Sequence, residues 1–440
     1  MERIADDAFM GHFPLRAYRM ENGLEVYLIH NPVAPVAAYL TYYRVGSALE
    51  DDSQRGLAHF FEHMMFRETV TLRDGEFDRK ISEMGGVGLN AYTSFDATVY
   101  HVSVPTENLP QLIALEADRM GGLRLLPDQI EAERGAVLGE MHMYQDMPSE
   151  AARDTLMAAA FARHPYRHPI IGYVPQVEGF ADADFRRFYE ENYAPNRACI
   201  VIAGGFEEAP LLESLRAAYG HLPPGKETPA PHPADGPWSD HRWLELRHEK
   251  ISTENLSLAW QSPGASHADF PALYLLSGLL SAGQSAPIHQ RLVHAGLAST
   301  AYAYVLEAEM AAVSPGLFMV EMVMQHGQQA EAGAEAVQAL LEELGNGGIP
   351  QVEWTRALSQ VRLGSYSAMR TNMSMGREVG DHLIAHGDPL YFQSFLRQVE
   401  AVTPEDLQRV LRRYLLETPR LAVAQRPGPD TPAAGSGSAA

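Results

Sequence analysis

A proline- and glycine-rich stretch, Pro223 to Trp238 (PPGKETPAPHPADGPW), interrupts the 440-residue chain near its middle and carries no apolar period. Such a stretch continues neither a helix nor a central strand, so it reads as an extended interdomain connection. The chain is also too long for one ordinary domain. Its two halves close alike. The first ends on a helical pattern from Asp184 to Ala194, then Pro195-Asn196-Arg197 and the apolar run ACIVIAGGF. The second ends on a helical pattern opening at Thr403, a cap, with Pro404 at the first helical position, followed by Pro419-Arg420 and LAVAQRP. Pro195 and Pro419 stand about half the chain apart, which argues for two related domains. The expected boundaries are a first domain over 1–222, a linker over 223–242, a second domain over 243–427 and a disordered tail over 428–440.

Strand and helix signals are mixed rather than strictly alternating. Asn22-Gly23 ends a turn before LEVYLIH, Val36 to Arg44 is a second extended run, and Ala97 to Val104 is a third. Helical patterns cover Gln111 to Leu123 and Gln129 to Tyr144; the second follows Pro127-Asp128 and stops before Pro148. The expected fold class is therefore α+β, two domains of mainly antiparallel sheet with helices packed on one face.

The formal charge is −22. That balance argues against nucleic acid or an anionic membrane as the main partner, since phosphate binding needs clustered Lys and Arg. With 46% hydrophobic and 20% charged residues, the composition is that of a globular protein rather than a disordered one. The one cysteine, Cys199, sits in an apolar run and reads as a small buried hydrophobe. No stretch approaches the roughly 18 apolar residues of a membrane span. The N-terminus has no uninterrupted apolar core behind a basic start. The expected compartment is the cytoplasm.

The sharpest chemical signal is His59-Phe60-Phe61-Glu62-His63. On a helix, residues four apart share a face, so His59 and His63 can point at one metal ion while Glu62 reaches a water beside it. This order is that of the inverted zinc-peptidase motif. A two-histidine site needs a third ligand, commonly a carboxylate from another element. Glu133 and Glu140 lie two helical turns apart on one stripe of the segment Asp128 to Pro148. Taken alone, that pair of glutamates reads as a solvated face rather than a ligand stripe.

His59-x-x-Glu62-His63 followed by Glu140 resembles the signature of the pitrilysin/insulinase-like zinc peptidases, the group that contains the mitochondrial processing peptidases. Further segments resemble the same group: Asn22-Gly23, Val45-Gly46-Ser47 with Glu50, Gly56-Leu57, Gly85-Gly86, Asn90 to Ser94, Asp118-Arg119-Met120, His164-Pro165-Tyr166, Gly172 and Gln261 to Gly264. The likeness runs from residue 15 to residue 427. It implies that His59, His63 and Glu140 bind Zn2+, that Glu62 is the general base, and that Glu133 is an acidic residue orienting a ligand or stabilising the site. It also implies that Asn90, Ala91 and Tyr92 lie on an exposed edge strand to which a substrate peptide adds by main-chain hydrogen bonds. Without the resemblance, this segment reads equally well as a plain hairpin strand. Gly85 to Gly88 reads as a turn, because no phosphate-loop pattern follows it.

One departure stands out. Active members of the group carry an Arg and a Tyr seven residues apart in the second domain, near a Gly-Leu-Ala-Tyr stretch. The matching stretch here is Arg291 to Ser299; Leu292 and Val293 are not Arg, Ser299 and Thr300 are not Tyr, and Tyr302 and Tyr304 are wrongly spaced from Arg291. The resemblance is thus to the metal-bearing chain of the small two-chain members, whose homologous partner supplies the Arg/Tyr pair. The expected function is a zinc endopeptidase subunit that hydrolyses short or unfolded peptides in an enclosed chamber, as a heterodimer. The alternatives are a self-sufficient homodimer and a non-catalytic scaffold subunit; the intact metal motif argues against the latter.

Overall fold

The computed structural model describes residues 1–226, 235–306 and 316–428. Residues 227–234 of the expected linker and 429–440 of the expected tail lie outside the described residues. Two compact units form. One comprises Met1–Met141, His168–Pro231 and Ser367–Gln393; the other comprises His142–Arg167, His232–Tyr366 and Ser394–Ala440. Each unit thus contains a segment from the opposite half of the chain.

The first unit is built on a seven-stranded sheet. Its strands are β1 (Glu2–Phe9), β2 (Phe13–Arg19), β3 (Glu25–His30), β4 (Val36–Tyr43), β5 (Val87–Thr93), β6 (Thr98–Pro105) and β7 (Ala198–Gly204). They lie in the order β1-β2-β3-β7-β4-β6-β5. The second unit carries β8 (Arg242–His248), β9 (Asn255–Ser262), β10 (Ala298–Val305), β11 (Gly316–Met324) and β12 (Arg420–Pro427), in the order β10-β11-β9-β12-β8. From its β5 edge inward, the first sheet runs β5-β6-β4-β7-β3, the same path that the second runs from β10. In both, the last two strands are parallel and the others antiparallel. The likeness of the two chain endings, β7 and β12, is therefore a likeness of whole domains, and the fold is a two-domain α+β arrangement.

Among the helices are α1 (Leu57–Met64), α2 (Pro127–Gln145), α3 (Pro148–Ala160) and α4 (Asn372–His386). In the first unit α1 lies against β5 and β6, and α4 lies against β4 and β7 on the opposite face. In the second unit α3 packs on β9 and β12. Helices on both faces explain why β4, β6 and β7 are buried along nearly their whole length instead of alternating. Cys199 lies fully buried in β7, and burial pushes its thiol up to about 12, which leaves it a core hydrophobe. Strand β1 carries little sequence signal: its side chains are mostly exposed, with only Phe9 buried in the core, and it exists because β2 offers an antiparallel partner. No described helix is long and apolar enough to cross a membrane.

Candidate metal centre

Helix α1 begins at a position only glycine fills. Gly56 has φ 96°, and a Cβ there would sit 2.4 Å from the Ile171 carbonyl oxygen. No side chain of the N-cap residue satisfies the first helical amides. Glu50 does so instead: its two carboxylate oxygens accept from the Gly56 N–H at 2.9 Å and the Ala58 N–H at 2.6 Å. A carboxylate at a helix N-terminus is favoured by the orphan amides and the helix dipole. Burial pushes the Glu50 carboxyl up, and these two donors and Arg55 oppose that push.

The first turn then places His59, and the next His63, with ring centroids 5.0 Å apart. Across from them α2 turns one stripe inward, burying Ile130, Glu133, Val137 and Met141. The two glutamates singled out on this segment thus belong to the inner face of α2, not to a solvated one. His59 Nε2 lies 3.6 Å and His63 Nε2 3.5 Å from Glu140 Oε2. Ligand atoms of all three residues fall within 4.8 Å of one another, the one such cluster of three or more among the described residues. A tetrahedral ion with bonds of about 2.0–2.1 Å separates its ligand atoms by about 3.4 Å. Small side-chain shifts close the difference, and two imidazoles with one carboxylate are a donor set suited to zinc.

The electrostatics suit a cation as well. Burial drives the His59 imidazole down to about 4 against the pull of Glu140, so it is neutral and offers a lone pair. Burial also disfavours a charged His63, but its contacts with Glu133 and Glu140 outweigh this and raise it to about 9. Without a metal, His63 therefore carries a proton that a bound cation displaces. His63 Nδ1 meets Glu133 Oε2 at 3.1 Å, which turns Nε2 toward Glu140. Arg67 Nε donates to the other Glu133 oxygen at 2.6 Å. Burial opposes ionisation of Glu133, yet His63 and Arg67 hold its carboxyl below the usual range.

Glu62 stands outside the three-residue cluster and points toward β5, where Thr93 Oγ1 donates to its Oε2 at 2.6 Å. Burial raises the Glu62 carboxyl, the direction a general base working near neutral pH needs. Strand β5 is the edge of its sheet. The Ser94 N–H bonds the Ala97 carbonyl at 2.8 Å, and the register runs Thr93 to Thr98, Tyr92 to Val99 and Ala91 to Tyr100. Hydrogen-bonded and non-hydrogen-bonded pairs alternate in an antiparallel ladder, so the main-chain groups of Ala91 and Thr93 face outward from β6. The Asn90 side-chain oxygen accepts the outward Ala91 N–H at 2.9 Å. Of the residues expected to meet substrate, Asn90 and Ala91 thus stand at this edge, while the Tyr92 side chain turns to the opposite face of the sheet and meets Asp381.

Comparison with known proteins identifies the family. The family profile described as "Insulinase (Peptidase family M16)" matches residues 25–173, and that described as "Peptidase M16 inactive domain" matches residues 180–361. The chain belongs to the M16 (insulinase) peptidase family. It is 27% identical over 414 residues to the zinc protease PqqE of Helicobacter pylori, covering 93% of this chain and 92% of that protein. It is 26% identical over 419 residues to the mitochondrial-processing peptidase subunit beta of Blastocladiella emersonii, covering 93% and 88%. Among solved structures, a protease from Helicobacter pylori superposes with a TM-score of 0.88 at 27% identity, covering 94% of this chain and 99% of the other.

Two contacts beside this cluster, those of Thr93 and Arg67, escape the reading of the sequence. Strand alternation offers a signal for Thr93, which shares a face with Ala91 and so turns toward α1. Arg67 lies just beyond α1, where nothing local marks its partner. In the second unit, Arg291 pairs with Glu343. The hydroxyls of Tyr302 and Tyr304 both donate to Glu321, at 2.5 and 3.1 Å.

Proposed function

We propose that this M16 chain is the zinc-bearing subunit of an endopeptidase that cleaves extended, unfolded peptides. The observation that carries the reading is the convergence of His59, His63 and Glu140 beside a half-buried glutamate, Glu62, that touches an edge strand through Thr93. His59, His63 and Glu140 would hold the zinc, and Glu133 would orient His63. Zinc bound there supplies a Lewis acid that polarises a carbonyl and acidifies water. Ala91 and Thr93 present outward carbonyls to an incoming strand, and the Ala91 N–H joins them once the Asn90 side chain releases it, so an extended peptide is held with little demand on its sequence. Glu62, its oxygen fixed by Thr93, takes the proton of the attacking water and delivers it to the leaving amine.

The second half of the site is assigned to a homologous partner subunit bearing an Arg/Tyr pair, the two enclosing a chamber that admits only flexible chains. Support comes from the residues of the matching stretch, where Arg291 is engaged by Glu343 and the nearby tyrosines by Glu321. The decisive experiment is cleavage of a long unstructured peptide by the purified, zinc-loaded chain, with Glu62→Gln as control. Cleavage lost in the variant establishes the peptidase and makes the chain self-sufficient, which removes the partner from the proposal. Silence from the folded, zinc-loaded chain that ends on adding an Arg/Tyr-bearing homologue establishes both parts. Silence under every condition overturns the reading. The cytoplasm is the proposed compartment, and cell fractionation tests it.

A further inference from the structure

Helix α4 comes from the second half of the chain but belongs to the first unit. Small residues let it approach the sheet closely: a Cβ on Gly376 would meet Leu40 Cδ1 at 2.5 Å, and one on Gly380 would meet the Tyr42 ring at 2.2 Å. Met375, Val379 and Leu383 of α4 then enter the core beneath β4 and β7. Apolar packing therefore fixes the helix, and its polar side chains are aimed rather than loose. Two of them, Arg377 and Asp381, reach past the core to the strands nearest the metal-ligand cluster.

Asp381 Oδ1 accepts from Tyr42 at 2.9 Å and from Tyr92 at 3.1 Å. Those tyrosines lie on β4 and β5, two strands apart in the sheet, so one carboxylate bridges a span of about 10 Å of hydrogen-bonded backbone. Arg377 donates to His101 Nε2 at 2.8 Å on the intervening β6, and its guanidinium lies 5.4 Å from the Tyr92 ring centroid. Strand β5 needs such a brace. It pairs on one side only, and its register with β6 shifts between Val87 and Asn90. An edge strand with an irregular ladder is free to slip or curl, and a peptide adding to it requires the outward groups held straight.

We propose that Asp381 and Arg377 are positioning residues for substrate: through Tyr92 they hold the β5 edge in the conformation that accepts a peptide strand. This rests on the reading of β5 as the substrate-bearing edge. The second half of the chain thereby contributes to peptide binding in the metal-bearing unit, without touching the metal ligands or the reacting atoms.

The test is steady-state cleavage of a long unstructured reporter peptide by the zinc-loaded enzyme, assembled with any partner that activity requires. Zinc content and thermal midpoint are measured alongside. Tyr92→Phe removes only the hydroxyl, Asp381→Ala removes the acceptor, and Asp381→Asn keeps an acceptor oxygen. Ala91→Pro deletes an outward N–H without breaking a ladder bond to β6 and tests the edge itself. The expected result is a KM raised about five- to tenfold in Tyr92→Phe and Asp381→Ala, the equivalent of about one hydrogen bond, with kcat within about twofold and zinc stoichiometric. Asp381→Asn is expected between these and the unaltered enzyme. Unchanged KM in Tyr92→Phe and Asp381→Ala, with KM raised by Ala91→Pro, overturns the brace and leaves the edge reading standing. Unchanged KM in Ala91→Pro overturns both. A fall in kcat or zinc content without a rise in KM also overturns the proposal, since the residues would then serve the metal ligands or the fold alone.

Discussion

Replacing Thr93 with valine keeps the shape of the side chain and removes one hydroxyl, the donor to Glu62 Oε2 at 2.6 Å. The loss has two effects of opposite sign. Losing a donor to the carboxylate raises its basicity, which favours taking a proton from water. It also removes one of the two Thr93 donors, hydroxyl and amide, that hold a half-buried carboxylate in place. The first effect is small, because a base already raised by burial gains little rate and spends more time protonated. The second is the larger: a hydrogen bond to a charged group contributes about 1.5–3 kcal/mol, and a misplaced catalytic group forfeits most of that in the transition state. The expected outcome is a kcat lower by about 10- to 100-fold, since about 1.4 kcal/mol is a factor of ten. KM and zinc content should stay near those of the unaltered enzyme. The assay is peptide cleavage under saturating substrate, with Thr93→Ser as the restoring variant. A Thr93→Val enzyme with kcat within twofold of the original would refute the reasoning, as would a serine variant no better than valine.

Glu133→Gln should weaken zinc binding by about 10- to 100-fold, because His63 loses the carboxylate that turns it and Arg67 loses its partner; chelator competition measures this, and unchanged affinity would place Glu133 outside the site. Zinc affinity should also depend on pH with a definite sign. His63 titrates at about 9 without metal, above its ordinary value, so below that pH zinc must expel a proton. Apparent affinity should fall about tenfold per unit as pH drops from 9 toward 7, and a flat profile would show that His63 is neutral or not a ligand. Glu50→Ala leaves the Gly56 and Ala58 amides at the start of α1 without their acceptor and should cost about 2–4 kcal/mol. Denaturant unfolding reads that loss, and an undiminished midpoint would mean that water replaces the carboxylate.

Much of this protein could be read from the chain because the information was local. The spacing of His59, Glu62 and His63 sets their faces on α1 whatever surrounds the helix, since the helical repeat fixes it. The extended runs that became β3, β4, β6 and β7 were visible as apolar stretches, and the paired endings around Pro195 and Pro419 announced a duplication that the matching strand orders bear out. Thr403 and Pro404 start their helix as capping chemistry dictates, with the Thr403 hydroxyl accepting from the Asp406 amide.

The tertiary structure decided what depends on which faces meet. On α2, Glu133 and Glu140 are acidic residues on a stripe that could equally have faced water, and only packing against α1 turns them to His59 and His63. Thr93 became a neighbour of Glu62 because a sheet edge passes beside a helix. Asp381 meets Tyr92 across 289 positions of sequence, through a helix that the second half of the chain places in the first unit. Hydrogen bonding along the backbone writes its period into nearby residues, so motifs and elements are legible one segment at a time. Contacts between segments carry no such period: they arise when apolar faces are buried together, and the polar groups at their margins find partners that only the assembled fold supplies.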